Sequence, residues 1–161
     1  LNREFEAIYE SLKDGVFTMA YRYLGDKQAA FDVSQDVFIK VYENLGKLPK
    51  GNEQKAYILR MTMNRSIDML RKMKPLQRLP EGAEIGVAEN RDTDEADEVA
   101  FLLSDLNPDQ KTAIILKEII GCSYEEIART CETDIGTVRS RLSRAKEKMR
   151  ETYLQGERHG H

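Results

Sequence analysis

The sequence predicts an all-α protein: two small helical domains joined by a flexible acidic linker, the C-terminal one containing a helix-turn-helix. Three observations carry that expectation. Apolar residues recur at three- and four-residue steps along two blocks, the spacing that lines one face of a helix. The period disappears between Pro75 and Asp97, where Pro75, Pro80, Gly82 and Gly86 interrupt any helix. No stretch calls for a strand. The expected divisions are a first domain over 1–74, a linker over 75–97, a second domain over 98–155 and a disordered tail over 156–161.

In the first block, Phe5, Ile8, Leu12, Val16, Ala20 and Leu24 share one helix face. Gly25 supplies a C-terminal stop and Asp26 the N-cap of the next helix. That second helix carries Ala30, Val33, Val37, Val41 and Leu45 on one stripe. Phe31, Phe38 and Tyr42 lie on a neighbouring stripe, which leaves Asp32, Asp36, Lys40 and Glu43 as a narrow polar face. A loop over Gly46–Gly51 leads to a third helix with Leu59, Met63, Ile67 and Leu70 inward.

The second block opens with Val99, Leu102, Leu103 and Leu106. Asn107-Pro108 then reads as an N-cap followed by a proline at the first helical position, and Gly121 ends that helix. Ser123 and Glu126 form a capping box for a short helix running from Tyr124 to about Thr130. After a turn over Cys131–Asp134, a last helix turns Val138, Leu142, Ala145 and Met149 inward.

The net charge of −3 argues against a uniformly basic nucleic-acid binder, but the charge is unevenly spread. Between Gly136 and Arg150, Arg139, Arg141, Arg144, Lys146, Lys148 and Arg150 face a single acid, Glu147. Between Pro75 and Glu98 the acids Glu81, Glu84, Glu89, Asp92, Asp94, Glu95, Asp97 and Glu98 outnumber Arg78 and Arg91. No apolar run approaches the roughly 18 residues that cross a bilayer, and LNREFEAIYE is not a signal peptide. The chain opens on Leu1, so a residue or two is expected to be missing before it. Cys122 and Cys131 offer no disulfide framework, so a reducing cytoplasm is the expected setting.

Two constellations suggest chemistry. The short capped helix, the turn and the basic helix form a helix-turn-helix, whose second helix enters the major groove. On its wheel, Thr137, Ser140, Arg141, Arg144 and Lys148 lie opposite the apolar stripe, flanked by Arg139 and Lys146. Cations there neutralise phosphates, Arg also takes guanine bidentately, and Ser bonds either base edge. On the third helix, Tyr57, Arg60, Asn64, Asp68 and Arg71 share a face, preceded by Lys47, Lys50, Asn52 and Lys55. A ring to stack a base, an amide to read its edge and cations to follow the backbone suit an unstacked single strand. A plain solvent face is the competing reading, in which Asp68 pairs with Arg65 or Arg71.

Three strings carry a family likeness: DVSQDVFIKVYENL at 32–45, AYILRMTMNRSIDMLRK at 56–72, and GCSYEEIA with GTVRSRLSRAKEKMR at 121–150. Together they resemble the extracytoplasmic-function sigma factors, small sigma-70-like initiation factors of bacterial RNA polymerase with regions 2 and 4 only. The resemblance implies docking of the second helix on the largest polymerase subunits through Asp32, Gln35, Asp36 and Phe38. It implies capture and opening of the −10 element by Lys50, Asn52, Lys55, Tyr57, Arg60 and Asn64. It also implies reading of the −35 element by Arg139, Ser140, Arg141, Ser143 and Arg144, with Thr137 and Lys148 on the same helix. An anti-sigma partner is implied, and no further C-terminal regulatory domain. Phe31 stands where the family usually has Glu, Tyr57 for Trp, Thr62 for Ala, Glu132 for Gly and Thr133 for a buried aliphatic.

A response-regulator output domain shares the helix-turn-helix but does not account for the first block. An enzyme is not indicated: there is no Gly-rich phosphate loop, no Ser/His/Asp set and no paired Cys/His ligands. Neither a metal nor another cofactor is expected, and no membrane insertion. His159 and His161 fall in the expected tail, and Cys122 with Cys131 read as packed thiols before a redox pair.

Overall fold

The computed structural model describes residues 2–77 and 94–159. Contacts divide the chain into two compact units, Leu1–Asn90 and Arg91–His161. Every described regular element is helical.

The N-terminal unit packs three helices, α1 (Arg3–Leu24), α2 (Lys27–Glu43) and α3 (Asn52–Gln77), each against the other two. Asn2 caps α1 by accepting from the Glu4 and Phe5 N–H groups, and Gly25 ends it at φ 68°. Asp26 then accepts from the Ala29 N–H at 2.9 Å to start α2. Val16, Met19 and Ala20 of α1 meet Val33, Val37 and Val41 of α2 and Ile58 and Leu59 of α3, all buried. On α3 the buried line runs through Ala56, Leu59, Thr62 and Ser66, while Met63, Ile67 and Leu70 are only half-buried. The Thr62 and Ser66 hydroxyls donate to the Ile58 and Thr62 carbonyls one turn back, at 2.8 and 2.7 Å. That local bonding satisfies polar groups inside the bundle, so an apolar period alone misplaces the inward face.

The second unit contains α4 (Asp94–Leu103), α5 (Pro108–Ile114), α6 (Tyr124–Cys131) and α7 (Ile135–His159). Asn107 and Gln110 form a reciprocal capping box at the start of α5. The helix then widens into a π-turn, Ile115–Ile120, which ends on Gly121 at φ 86°. The Cys122 N–H reaches back to the Leu116 carbonyl at 2.8 Å, which reverses the chain and buries Cys122. Helices α4, α5 and α6 all pack on α7, around Leu103, Ile115, Leu116, Ile127, Val138 and Ala145.

Three boundaries differ from expectation. Helix α3 continues through Pro75 to Gln77. Helix α4 begins at Asp94, inside the segment expected to be linker. Helix α7 runs to His159, so 156–159 is helical where a tail was expected. The Phe101 ring of α4 lies over Gly156, where a Cβ would come within 3.0 Å of it, and that contact holds the end of α7. The rest of the expected linker, 78–93, and residues 160–161 lie outside the described residues.

Candidate nucleic-acid interface

The recognition motif is fixed by local bonds. Ser123 accepts from the Glu126 N–H at 3.1 Å while the Glu126 carboxylate accepts from the Ser123 N–H at 3.0 Å. Helix α6 ends at Glu132, whose backbone is left-handed at φ 54°, the conformation that glycine adopts most readily. Asp134 then accepts from the Thr137 N–H at 2.6 Å, which starts α7. That bond holds the Asp134 carboxyl below the ordinary carboxylate range. The cap is therefore fully made near neutral pH and is lost only as pH falls through this lowered pKa.

Of the seven side chains expected on the −35 face, Arg139, Ser140, Ser143, Arg144 and Lys148 are exposed and Thr137 is half-buried. Arg141 is placed differently. It is half-buried and turned towards α5, where its guanidinium lies 3.7 Å from the Asp109 carboxylate. Carboxylates also attend Lys146 (Glu118, 3.4 Å) and Lys148 (Glu151, 4.0 Å). Arg139 and Arg144 have no carboxylate partner among the described residues. Arg139 instead lies over the Tyr124 ring, 5.7 Å from its centroid, and Lys117 lies 5.2 Å from the same centroid.

In the N-terminal unit, Tyr57 is 37% exposed on α3, on a face with the exposed Asn64, Asp68 and Arg71 and the half-buried Arg60. Lys50 and Asn52 are exposed beside Gly51, which turns the chain into α3 at φ 66°, and Lys55 is half-buried. Arg65 pairs across the bundle with Asp36 of α2, not with Asp68.

The expected docking residues separate. Asp32 and Gln35 are exposed, and Asp36 is tied to Arg65. Phe38 is 6% exposed, with the Tyr9 ring of α1 packed edge-on 4.9 Å away, and it lines the groove between α1 and α2 from beneath. The apolar side chains that α2 does present are Phe31, Ile39 and Tyr42, each at least half exposed. They rim a groove of about 840 Å³ shared with Phe5, Tyr9 and Phe17 of α1. A wheel gave two adjacent apolar stripes, and only the position of α1 decides which of them is covered.

Cys122 lies just before the N-cap of α6, and Cys131 is the last residue of that helix. Both are thiols not joined in a disulfide, Cys122 buried and Cys131 half-buried. Among the described residues no group of His, Cys, Asp and Glu could hold a metal ion, and no helix is long and apolar enough to cross a membrane.

Comparison with known proteins matches residues 8–75 to Sigma-70 region 2 and residues 96–149 to Sigma-70, region 4. The chain is 31% identical over 147 residues to the ECF RNA polymerase sigma factor SigE of Mycolicibacterium smegmatis, covering 86% of this chain and 57% of that protein. It is 30% identical over 161 residues to the RNA polymerase sigma-H factor of Pseudomonas aeruginosa, covering 90% of this chain and 83% of that protein. Among solved structures, the sigma factor RpoE of Bartonella quintana, in complex with the anti-sigma factor NepR, matches with a TM-score of 0.74. That match is 26% identical and covers 95% of this chain and 98% of the other.

Proposed function

The chain belongs to the extracytoplasmic-function class of the sigma-70 family, and on that premise we propose that it joins core RNA polymerase in the cytoplasm and directs it to −35 and −10 promoter elements. It carries no catalytic step of its own; nucleotide addition belongs to the polymerase. The observation that carries this reading is the pairing, in one chain, of two differently built nucleic-acid faces. One is a capped helix-turn-helix whose Arg139 and Arg144 have no carboxylate partner among the described residues. The other is an α3 face with an exposed ring and amide, Tyr57 and Asn64. The first suits duplex DNA, the second an unstacked strand.

In this reading the second unit, with Thr137, Arg139, Ser140, Ser143, Arg144 and Lys148, contacts the −35 duplex, and Arg141 serves mainly to tie α7 to α5. Lys50, Asn52, Lys55, Tyr57, Arg60 and Asn64 take the −10 strand. Asp32 and Gln35, beside the exposed Ile39 and Tyr42, meet the largest polymerase subunits, with Asp36 and Phe38 bracing that surface. The solved relative bound to an anti-sigma factor supports a similar partner here. A response-regulator output domain is not favoured, because it leaves the region 2 match over 8–75 without a role.

Run-off transcription on genomic fragments tests the reading. Core polymerase with this chain is expected to give discrete transcripts that core enzyme alone does not. No specific transcript on any fragment, with a second sigma factor active in parallel, would overturn it.

A further inference from the structure

Tyr124 opens α6, and three elements converge on its ring. The capping box of Ser123 and Glu126 fixes the backbone at the start of the helix. Lys117, from the π-turn after α5, brings its ammonium to 5.2 Å from the ring centroid. Arg139, from the first turns of α7, brings its guanidinium to 5.7 Å. Both distances fall within the roughly 6 Å over which a ring face attracts a cation.

The charge environment sets these two cations apart. Arg141, Lys146 and Lys148 each have a carboxylate within 4.0 Å. Lys117 and Arg139 have none among the described residues. A ring quadrupole orients a cation without neutralising it, so two positive charges are gathered on one side chain with no counter-charge. A DNA backbone phosphate supplies the missing counter-charge. Lysine and arginine are also the side chains with the most rotamer freedom to lose, and here both are confined before DNA arrives.

We propose that Tyr124 is a positioning residue that holds Lys117 and Arg139 together as one backbone-phosphate anchor at the entrance to the recognition helix. The proposal rests on the −35 reading of the second unit and deepens it. It moves Arg139 from base reading to backbone contact, and it adds Lys117 and Tyr124, which neither charge counts nor the wheel of α7 singled out. A phosphate anchor acts on all sequences alike, and each cation removed lowers the salt slope of binding by about one.

The test uses the full chain, a duplex selected from random DNA by the wild-type protein, and a scrambled duplex of the same composition. Binding is followed by fluorescence anisotropy across a salt series. Tyr124→Phe keeps the ring and is expected to bind as wild type. Tyr124→Leu keeps apolar bulk without the ring and is expected to lose about two- to fivefold on both duplexes, the size of one exposed cation–ring contact. Arg139→Ala and Lys117→Ala are each expected to lower the salt slope by about one. Adding Tyr124→Leu to the Lys117→Ala/Arg139→Ala pair should cost nothing further. The proposal fails if Tyr124→Leu binds normally, or if Tyr124→Phe is as weak as Tyr124→Leu, which would make the hydroxyl the contact. It fails too if the Leu variant costs as much without the two cations as with them, which would make its role structural. In each of those cases wild-type preference for the selected duplex stands, and only the anchor is lost; absence of that preference in the wild type would overturn the −35 reading and the anchor together.

Discussion

Glu132 carries a backbone conformation that its side chain disfavours. At φ 54° it is the only non-glycine residue with positive φ among those described, and it forms the turn between α6 and α7. An L-residue in the left-handed region costs about 1–2 kcal/mol, and glycine's greater freedom in the unfolded chain returns about 0.4–1 kcal/mol of that. Glu132 also makes interactions of its own, which offset a further part. Glu132→Gly is therefore expected to stabilise the second unit by about 0.5 kcal/mol. Hydrogen exchange in the full chain should show the gain as slower opening of the α6 and α7 amides; faster opening would mean that the side chain contributes more than the strain removes. The position was visible in the sequence as a Glu where the family resemblance expects Gly. Its sign was not, because strain depends on a dihedral angle. Arg141 shows the same gap: its place on the wheel was correct, but Asp109 on another helix draws it away from the outward face.

At the scale of elements, α7 is a helix with two kinds of cation on it. Arg144 is exposed and has no carboxylate partner among the described residues, whereas Lys148 lies within 4.0 Å of Glu151 one turn on. Arg144→Ala is expected to weaken −35 binding by about 1–3 kcal/mol and to relax preference at one base pair, the mark of a base contact. Lys148→Ala should weaken all sequences alike and by less, since Glu151 already shares its charge. Binding to a panel of single-base −35 variants separates the two; equal, sequence-independent losses would make Arg144 a phosphate contact as well. Helix starts and stops were the most legible features of the sequence. Asp26, Asn107, Ser123, Gly25 and Gly121 act through bonds to residues a few positions away, so a short window contains their physics. What a short window lacks is the partner helix. Tyr9 covers Phe38 and leaves Ile39 outside, Thr62 and Ser66 are admitted to the core by bonding backward, and Phe101 over Gly156 carries α7 past its expected end.

At the scale of the whole molecule, each unit is proposed to carry its own nucleic-acid face, and the two are proposed to do different physical work. The α7 face is proposed to read an intact duplex, so its substitutions should register in duplex binding alone. The α3 face is proposed to hold a strand after the duplex has opened, so its substitutions should register only when opening is measured. Tyr57 and Asn64 stand about two helical turns apart on that face, both exposed, and neither packs in the core. Tyr57→Ala is expected to cost about 1–3 kcal/mol of single-strand affinity, the worth of one base–aromatic stack. Asn64→Ala is expected to leave the fold intact and to change base preference at one −10 position. The assay pairs permanganate reactivity of promoter thymines, in complexes with core polymerase, with anisotropy of the full chain on a −35 duplex. The expected pattern is reduced reactivity at the −10 element with duplex affinity unchanged. Normal melting by both variants would remove Tyr57 and Asn64 from strand capture and leave Lys50, Asn52 and Lys55 to account for it. Loss of helicity by circular dichroism would show that the variants fail through folding, and would remove the α3 face from the argument. Wild-type polymerase binding with no melting at all would overturn the division of work between the two units, since the region 2 unit would then dock without opening DNA.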